Sequence, residues 1–309
     1  MSGEVVTAPS MSPREQAETF RSQALRLLES GEFHASLGIY DEALAAAHAS
    51  GDAPFVDWIY ACRAAAAAEA GPADKELVEL KRILLRSSDP QTSFRAAFSS
   101  SRIYDLKGDL RKALFYSRVA SQKAQDTGDP LLIAGAEDAR GSFLAVDSRF
   151  EEAAAAHENA LRISEPPAPV LPFFRAHYKN NLGYCWISLD RIEEGLALVH
   201  EGFATLEAQG AKAHTVAPLL DLCFGYLKAD RYAEARYFGE EALERLPLAA
   251  DPTAEKNCLY LLGETCHLSG DQGAAQRHFD RLAALYPEFK NLRAYLDVFD
   301  FRNVINLRS

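Results

Sequence analysis

Small residues and short polar turns alternate along the chain at a fixed spacing. In seven places a small residue is followed twelve positions later by a second residue, which is small in all cases but one. The pairs are Ala24/Ser36, Ala64/Glu76, Ser101/Ala113, Gly141/Ala153, Gly183/Gly195, Cys223/Ala235 and Gly263/Ala275. Two helices approach closely only where neither carries a large side chain at the crossing. The pattern therefore predicts seven helical hairpins, each with one close crossing.

The hairpins repeat about every 40 residues, as the positions of the second members show. The predicted joints between them combine a Gly that ends a helix, an Asp that caps the next one and a Pro suited to its first turn. Such joints are Ser50-Gly51-Asp52-Ala53-Pro54, Ser88-Asp89-Pro90 and Thr127-Gly128-Asp129-Pro130. Since each unit of a repeat array buries its apolar face against its neighbours, we expect one continuous array without an internal domain boundary.

Two places depart from the regular pattern. Glu76 stands where a small residue belongs, and Gly71-Pro72 lies in the same hairpin, so we expect the second helix of repeat two to be displaced. The connection between repeats four and five, residues 164–172, is too rich in proline to be helical. It is therefore predicted to be extended and to act as a hinge. After Pro287 the pattern changes, and Leu292 to Phe299 predict a terminal capping helix.

Three of the repeats carry a known pattern of residues. In the most regular one, Leu262-Gly263, Cys266, Ala275, Phe279 and Pro287 fall at the offsets of the tetratricopeptide motif, with Cys266 in place of the usual Tyr. A second has Leu182-Gly183, Trp186, Gly195 and Val199, and a third has Leu222-Cys223, Tyr226, Ala235, Ala242 and Pro247. Over roughly residues 17–287 the chain thus resembles the tetratricopeptide-repeat (TPR) superfamily. Its long repeats are similar to those of kinesin light chains and of Rap-type bacterial peptide sensors.

The resemblance implies an all-α fold, a right-handed α-solenoid of seven TPR-like helical hairpins with a C-terminal capping helix. We expect a disordered lead over 1–12, the array over 13–287, and the capping helix and tail over 288–309. The repeats are predicted near 17–53, 57–90, 94–130, 134–165, 176–210, 216–248 and 256–287.

Composition narrows the classes of partner. The chain is 48% hydrophobic and 25% charged with a net charge of −11, and it has no run of Lys and Arg, so nucleic acid is not an expected partner. No stretch approaches the roughly 20 apolar residues needed to cross a bilayer. The five cysteines form no CxxC pair, which argues against a disulfide framework or a zinc ribbon. These features predict a cytoplasmic protein without membrane insertion. We expect the protein to be bacterial.

The first helices of TPR hairpins line a concave face, so the resemblance implies a peptide-binding groove there. Carrying the groove-facing offsets of the superfamily over to this chain gives ten candidate residues: Arg95, Phe98, Arg102, Asp138, His177, Asn180, Asn181, Tyr184, Phe224 and Tyr260. The middle of this set is polar and its later part aromatic, a combination that suits an extended peptide or a partner helix.

Several of these residues have two interpretations. The amide of Asn180 or Asn181 could bond a peptide unit of a ligand, because it offers donors and an acceptor together, and the sequence resembles that of kinesin light chains at this point. Alternatively, one of them bonds a neighbouring helix. Arg95 and Arg102 could bind a ligand carboxylate. Alternatively, they are neutralised within the protein, because Asp105 lies three residues from Arg102 on the same helix and Asp138 lies one repeat further on, where a solvated inter-repeat ion pair can form.

Catalytic motifs are lacking in the sequence. His157-Glu158 begins like a metalloprotease helix but is not followed by the second His, and neither a GxSxG elbow nor a phosphate-binding glycine loop occurs. The sequence predicts a non-enzymatic scaffold or adaptor that binds a protein or peptide partner and needs no cofactor or metal. One alternative is a peptide-responsive sensor that changes its superhelical pitch. Another is a self-assembling subunit, a homodimer in which the C-terminal tail fills the groove of a second copy.

Overall fold

A computed structural model describes residues 11–29, 32–165, 170–249 and 252–309. The predicted disordered lead, apart from its last two residues, and the centre of the predicted proline hinge lie outside these ranges. Within them the regular structure is helical and no β-strand occurs. The chain divides into two compact units, Met1–Leu132 (unit 1) and Ile133–Ser309 (unit 2). The boundary falls inside a helix, at a point where the sequence shows no change of pattern.

Unit 1 consists of consecutive helices joined by short turns. They are α1 Pro13–Glu29, α2 Phe33–Ser50, α3 Ala53–Ala70, α4 Asp74–Arg86, α5 Pro90–Leu106 and α6 Leu110–Thr127. Gly51 and Gly128 end α2 and α6 in the left-handed conformation, with φ of 71° and 67°. Asp52 accepts a hydrogen bond from the backbone N–H of Phe55 at 3.2 Å, and Asp89 caps α5 in the same way. The predicted joints are therefore confirmed, because each residue type meets the geometric need of its position.

The second hairpin of unit 1 is irregular. Glu76 of α4 is partly buried and accepts a hydrogen bond from Arg63 of α3 at 3.0 Å, so a salt bridge stands where the other hairpins have a small residue. Helix α4 also packs more extensively against α5 than against α3. The predicted displacement of this second helix is thus confirmed.

The described residues of unit 2 form the remaining helices and three 3-10 turns. The helices are α7 Pro130–Val146, which contains the unit boundary, α8 Phe150–Ile163, α9 Pro172–Ser188, α10 Ile192–Ala208, α11 Val216–Lys228, α12 Tyr232–Ala249, α13 Pro252–Leu268, α14 Gln272–Leu285 and α15 Leu292–Leu296. The 3-10 turns are Lys212–Thr215, Pro287–Phe289 and Phe301–Asn303.

Paired small residues mark the helix crossings of unit 2. A β-carbon added at Gly195 of α10 would lie 2.6 Å from the carbonyl oxygen of Gly183 of α9, and one at Gly183 would lie 2.7 Å from that of Gly195. At Gly141 an added β-carbon would lie 2.6 Å from the ring of His157. These helices therefore approach so closely that only hydrogen fits at the crossing, as the spacing predicts.

The C-terminal region is helical only in part. Helix α15 has five residues, and Leu292 and Leu296 within it pack against the core of unit 2, whereas Tyr295 and Phe299 are exposed. The chain then passes the 3-10 turn Phe301–Asn303 and continues to Ser309 without further helix. We refer to residues 301–309 as the tail. It returns to the first helices of the hairpins of unit 2, where the candidate site lies.

Candidate functional site

Four helices of unit 2 meet the tail. They are α7, α9, α11 and α13, each the first helix of its hairpin, so they present a row of equivalent surfaces to one extended segment. The contacts of the tail are specific hydrogen bonds and ion pairs to side chains and to the ends of helices.

Asn306 of the tail has a partner for each end of its amide. Its Nδ2 donates to the carbonyl oxygen of Ala145 at 2.7 Å and to Ser148 Oγ at 3.0 Å. Its Oδ1 accepts from the hydroxyl of Tyr184 at 2.9 Å. The last carbonyl groups of a helix have no partner within the helix, so the end of α7 offers acceptors to this amide.

Leu307 is held by both its main chain and its side chain. Its N–H donates to the Tyr184 hydroxyl at 2.9 Å, and its carbonyl oxygen accepts from Asn257 Nδ2 at 2.7 Å. The side chain is 2% exposed and belongs to the core of unit 2. Both polar groups of this residue's main chain are thus bound by side chains of α9 and α13, as expected for a bound peptide.

Arg308 pairs with an acid that water does not reach. Its guanidinium donates to Asp221 Oδ2 at 2.6 Å and lies 4.1 Å from the ring centre of Tyr184. Asp221 has no exposed surface, and the same oxygen accepts from Asn180 Nδ2 at 2.9 Å. Burial raises the pKa of Asp221 above its ordinary value, although the Arg308 charge acts in the opposite direction. The ionised carboxylate therefore depends on the tail for its counter-charge.

The start of the tail is fixed by Arg302. Its guanidinium donates to the carbonyl oxygen of Leu227 at 3.3 Å, in the last turn of α11, and to Asp230 Oδ1 at 2.5 Å, in the turn that follows the helix. A cation suits the C-terminal end of a helix, where carbonyl oxygens are unpaired. Arg302 and Arg308 thus attach the two ends of the tail to the same helix.

A cavity of about 240 Å³ lies beside the segment that leads to the tail. Its lining includes Glu264 and His267 of α13 and Val298 and Phe299 of the segment. Glu264 is buried, its Oε2 has no hydrogen-bond partner among the described residues, and burial raises its pKa to about 7. This carboxyl group is therefore neutral at mildly acid pH and loses its proton near neutrality.

Tyr184 is the predicted groove residue that contacts the tail directly, through its hydroxyl and its ring. Phe224 is buried beside it, with ring centres 6.1 Å apart, and Tyr260 is buried in the same core as Leu307. Asn180 is buried and donates to Asp221, so of its two interpretations the structure contains the bond to a neighbouring helix. The asparagine that bonds a peptide unit of the tail is Asn257 instead.

A second group of predicted residues lies where α7, α8 and α9 meet. Asp138 Oδ1 accepts from Asn181 Nδ2 at 3.1 Å and lies 2.8 Å from His157 Nδ1. His177 packs against the ring of His214, with centres 5.4 Å apart, and burial lowers its pKa. The amide of Asn181 thus bonds a neighbouring helix.

The remaining predicted residues, Arg95, Phe98 and Arg102, lie on α5 of unit 1. Arg102 donates to Glu69 at 2.8 Å and to Asp105 at 3.0 Å, so the predicted neutralisation by Asp105 is confirmed and a second acid is added. The guanidinium of Arg95 lies 6.0 Å from the ring centre of Phe98.

Sequence reasoning missed Asp221 and the tail residues that bind around it. Asp221 is not among the ten candidate residues, because the groove-facing offset falls on its neighbour Leu220. A signal was present, because Asp221 is a single acid within the apolar helix α11 and a buried acid needs a partner. The tail's own Arg308 supplies that partner.

Two other kinds of feature, membrane spans and metal-binding clusters, do not occur in the described part of the chain. None of its helices has both the length and the apolar character to cross a membrane. It also contains no group of three or more His, Cys, Asp or Glu side chains placed to hold a metal ion. All five cysteines are buried and free of disulfides, and burial raises the pKa of Cys185 and Cys258 to about 12.

Comparison with known proteins identifies the fold. No protein-family model and no curated protein matches the chain. Among solved structures, the apo form of RapI has a TM-score of 0.66 and 11% identity over 91% of this chain and 82% of its own. NprR in complex with its cognate peptide NprX has a TM-score of 0.63 and 15% identity over the same shares. BtubC (BKLC) from P. vanneervenii has a TM-score of 0.53 and 22% identity over 78% of this chain and 93% of its own.

These three structures are TPR-type repeat proteins. The chain has the tetratricopeptide-repeat fold. The predictions of an all-α TPR fold and of a resemblance to long-repeat TPR proteins are confirmed. Since identity is low throughout, the similarity establishes the TPR fold and leaves the function to be argued from the site.

Proposed function

We propose that this TPR protein is a non-enzymatic scaffold or adaptor that binds an extended peptide segment of another protein on the first helices of unit 2. The observation that carries the proposal is the bound tail, whose Asn306, Leu307 and Arg308 make side-chain-specific contacts with α7, α9, α11 and α13. A surface that binds one extended segment in this way has the donors, acceptors and apolar space that peptide recognition requires.

Further support comes from the fold and from charge. NprR, which has the same fold, was crystallised in complex with a cognate peptide. The net charge of −11 favours a partner segment with basic residues over nucleic acid. We propose that binding needs no cofactor. Buried cysteines without disulfides suit the cytoplasm, which we propose as the compartment.

A peptide display experiment tests the proposal. In the full-length Leu307→Asp variant the tail cannot keep its place, because a charge would have to enter the core, so the surface becomes available. We expect this variant to enrich a defined set of peptides from a random library. The Leu307→Asp/Tyr184→Phe variant is the matched control, since it keeps the ring and lacks the hydroxyl that bonds Leu307 and Asn306.

Enrichment should fall in the control, because two hydrogen bonds to the peptide are lost. Failure of every peptide to be enriched by Leu307→Asp, with the far-ultraviolet circular dichroism of the variant unchanged, would rule out the proposed function.

The self-assembly alternative is also testable, because the contacts of the tail would be the same if it came from a second copy. A tether of a few residues gives the tail an effective concentration on the order of a millimolar. We therefore expect light scattering to find the wild-type chain monomeric at micromolar concentration. A wild-type dimer that the Leu307→Asp substitution dissociates would support tail exchange instead.

A further inference from the structure

We infer that the peptide recognised by unit 2 carries an asparagine, an aliphatic residue and an arginine in succession, and that the tail is an intramolecular competitor for it. The inference rests on the proposed function and adds the chemical class of the ligand. The template is the tail itself, in which these positions are Asn306, Leu307 and Arg308.

The first position requires an amide. The Nδ2 of Asn306 donates to three acceptors, the carbonyl oxygens of Ala145 and Val146 and the hydroxyl of Ser148, while its Oδ1 accepts from Tyr184. Aspartate would place a negative charge against two carbonyl oxygens that can only accept, and of the three groups the Ser148 hydroxyl alone could donate to it. An aliphatic side chain would leave the helix carbonyls and the Tyr184 hydroxyl without this partner, at a cost of about 1–3 kcal/mol for each group kept from water. An asparagine provides both the donors for these acceptors and the acceptor for the Tyr184 hydroxyl.

The second position requires an apolar side chain of the size of leucine. Leu307 is buried in the core that includes Phe224 and Tyr260, while Tyr184 and Asn257 bind its N–H and carbonyl oxygen. The main-chain bonds accept any residue other than proline, since proline has no N–H. Selectivity at this position therefore comes from the core, which excludes a charge.

The third position requires arginine. Asp221 is fully buried, its Oδ1 has no partner among the described residues, and its Oδ2 accepts from Asn180 and Arg308. A buried carboxylate needs a counter-charge. The planar guanidinium can stack on the Tyr184 ring while it donates to Asp221, and a lysine ammonium cannot stack in this way. An acidic or neutral residue at this position would leave Asp221 uncompensated.

The surroundings of the tail allow it to detach from the hairpins of unit 2. The segment that precedes it is exposed, and Val298 within this segment is 80% exposed. Helices α13 and α14 are packed against each other without the tail's participation. The tail can therefore detach while the hairpins stay folded. The apparent dissociation constant of an external peptide is then its intrinsic value divided by the fraction of molecules with the tail detached.

A fluorescence anisotropy experiment with a labelled synthetic peptide of residues 301–309 tests the inference on full-length protein. We expect the peptide to bind the Leu307→Asp variant at least about tenfold more tightly than the wild type, because the tethered competitor has been removed. Full-length Arg308→Glu is a second released variant, in which the core substitution is avoided. Thermal melting followed by circular dichroism checks that both variants keep their hairpins.

Peptide variants test each position. Arg308→Glu or Asn306→Asp in the peptide should weaken its binding to the Leu307→Asp protein at least about tenfold. The Leu307→Asp/Asp221→Asn protein should bind the native peptide and an Arg308→Gln peptide with similar affinity, because the buried charge that selects arginine is gone. A scrambled peptide is the control and should not bind.

Three results would overturn the inference. One is equal affinity of the native and scrambled peptides, another is equal affinity of wild type and both released variants, and the third is a wild-type dimer at assay concentration, which assigns the site to a second copy. If the display library yields peptides that need the Tyr184 hydroxyl but lack the Asn–aliphatic–Arg sequence, the inference fails and the proposed function stands. If no peptide binds a folded, released variant, the proposed function itself fails.

Discussion

Replacing Gly195 by alanine is expected to lower the free energy of unfolding by about 3 kcal/mol, the upper part of the range for an overpacked core. The added methyl group would lie 2.6 Å from the carbonyl oxygen of Gly183 and 2.7 Å from Ile187 Cγ1. The first of these neighbours is a backbone atom, which cannot rotate away as a side chain could. The helices α9 and α10 must therefore move apart. Urea unfolding followed by circular dichroism measures the effect.

Gly135 provides the matched control, since it also lies within a helix of unit 2. A β-carbon there would meet only the Tyr178 hydroxyl, at 3.9 Å, so Gly135→Ala should stabilise the protein by up to about 1 kcal/mol through helix propensity. Equal destabilisation by the two substitutions would show that the close crossing of α9 and α10 is not the cause.

Replacing Glu264 by glutamine is expected to stabilise the protein at pH 8 by about 3 kcal/mol and to have little effect at pH 4. The pKa of this carboxyl rises from its ordinary 4.5 to about 7 on folding, a shift worth about 1.4 kcal/mol for each pH unit. Since the folded state holds the proton more tightly, the wild type loses stability as pH rises from about 4.5 to 7, and glutamine, like the protonated acid, does not.

Chemical unfolding at pH 4, 6 and 8 checks the sign of this effect. Besides burial, Tyr260, Asp300 and Arg302 act on the pKa of Glu264, and His267 and Asp297 line the same cavity; all five remain in the variant. Exposed Glu158 is the control, and its change to glutamine should alter stability by less than about 0.5 kcal/mol at any of these pH values. A Glu264→Gln variant that is stabilised equally at pH 4 and pH 8 would contradict the assignment.

The crossings were predictable because they depend on residues twelve positions apart. The small residue Gly183 allows a second helix to approach closely. Its partner Gly195 is predicted because it lies twelve positions further along the chain. The joints at Gly51 and Asp52 are equally local, since the left-handed turn and the helix cap each depend on a single residue type. Fold class, repeat number and joints therefore follow from short-range pattern.

The candidate site depends on long-range contacts, which the spacing of residues along the sequence does not reveal. Asn306 meets Ala145, which precedes it by 161 residues, and nothing in the spacing of either predicts the other. The offsets of the superfamily also locate a helix face more reliably than a single side chain. They include Tyr184, which contacts the tail, and also Asn180, for which a bond to a ligand and a bond to a neighbouring helix were both open and which bonds Asp221.

The route of the tail changes how unit 2 should unfold. In a linear repeat array each hairpin contacts only its neighbours, so the terminal hairpins fray independently. Here the tail contacts Ala145 at the end of α7 and Asn257 of α13. It therefore couples two hairpins that are not neighbours in the array. Amides in α7 and α13 should therefore share one opening free energy in hydrogen exchange. When the tail is released, the amides of α7 and those of α13 should again open with different free energies.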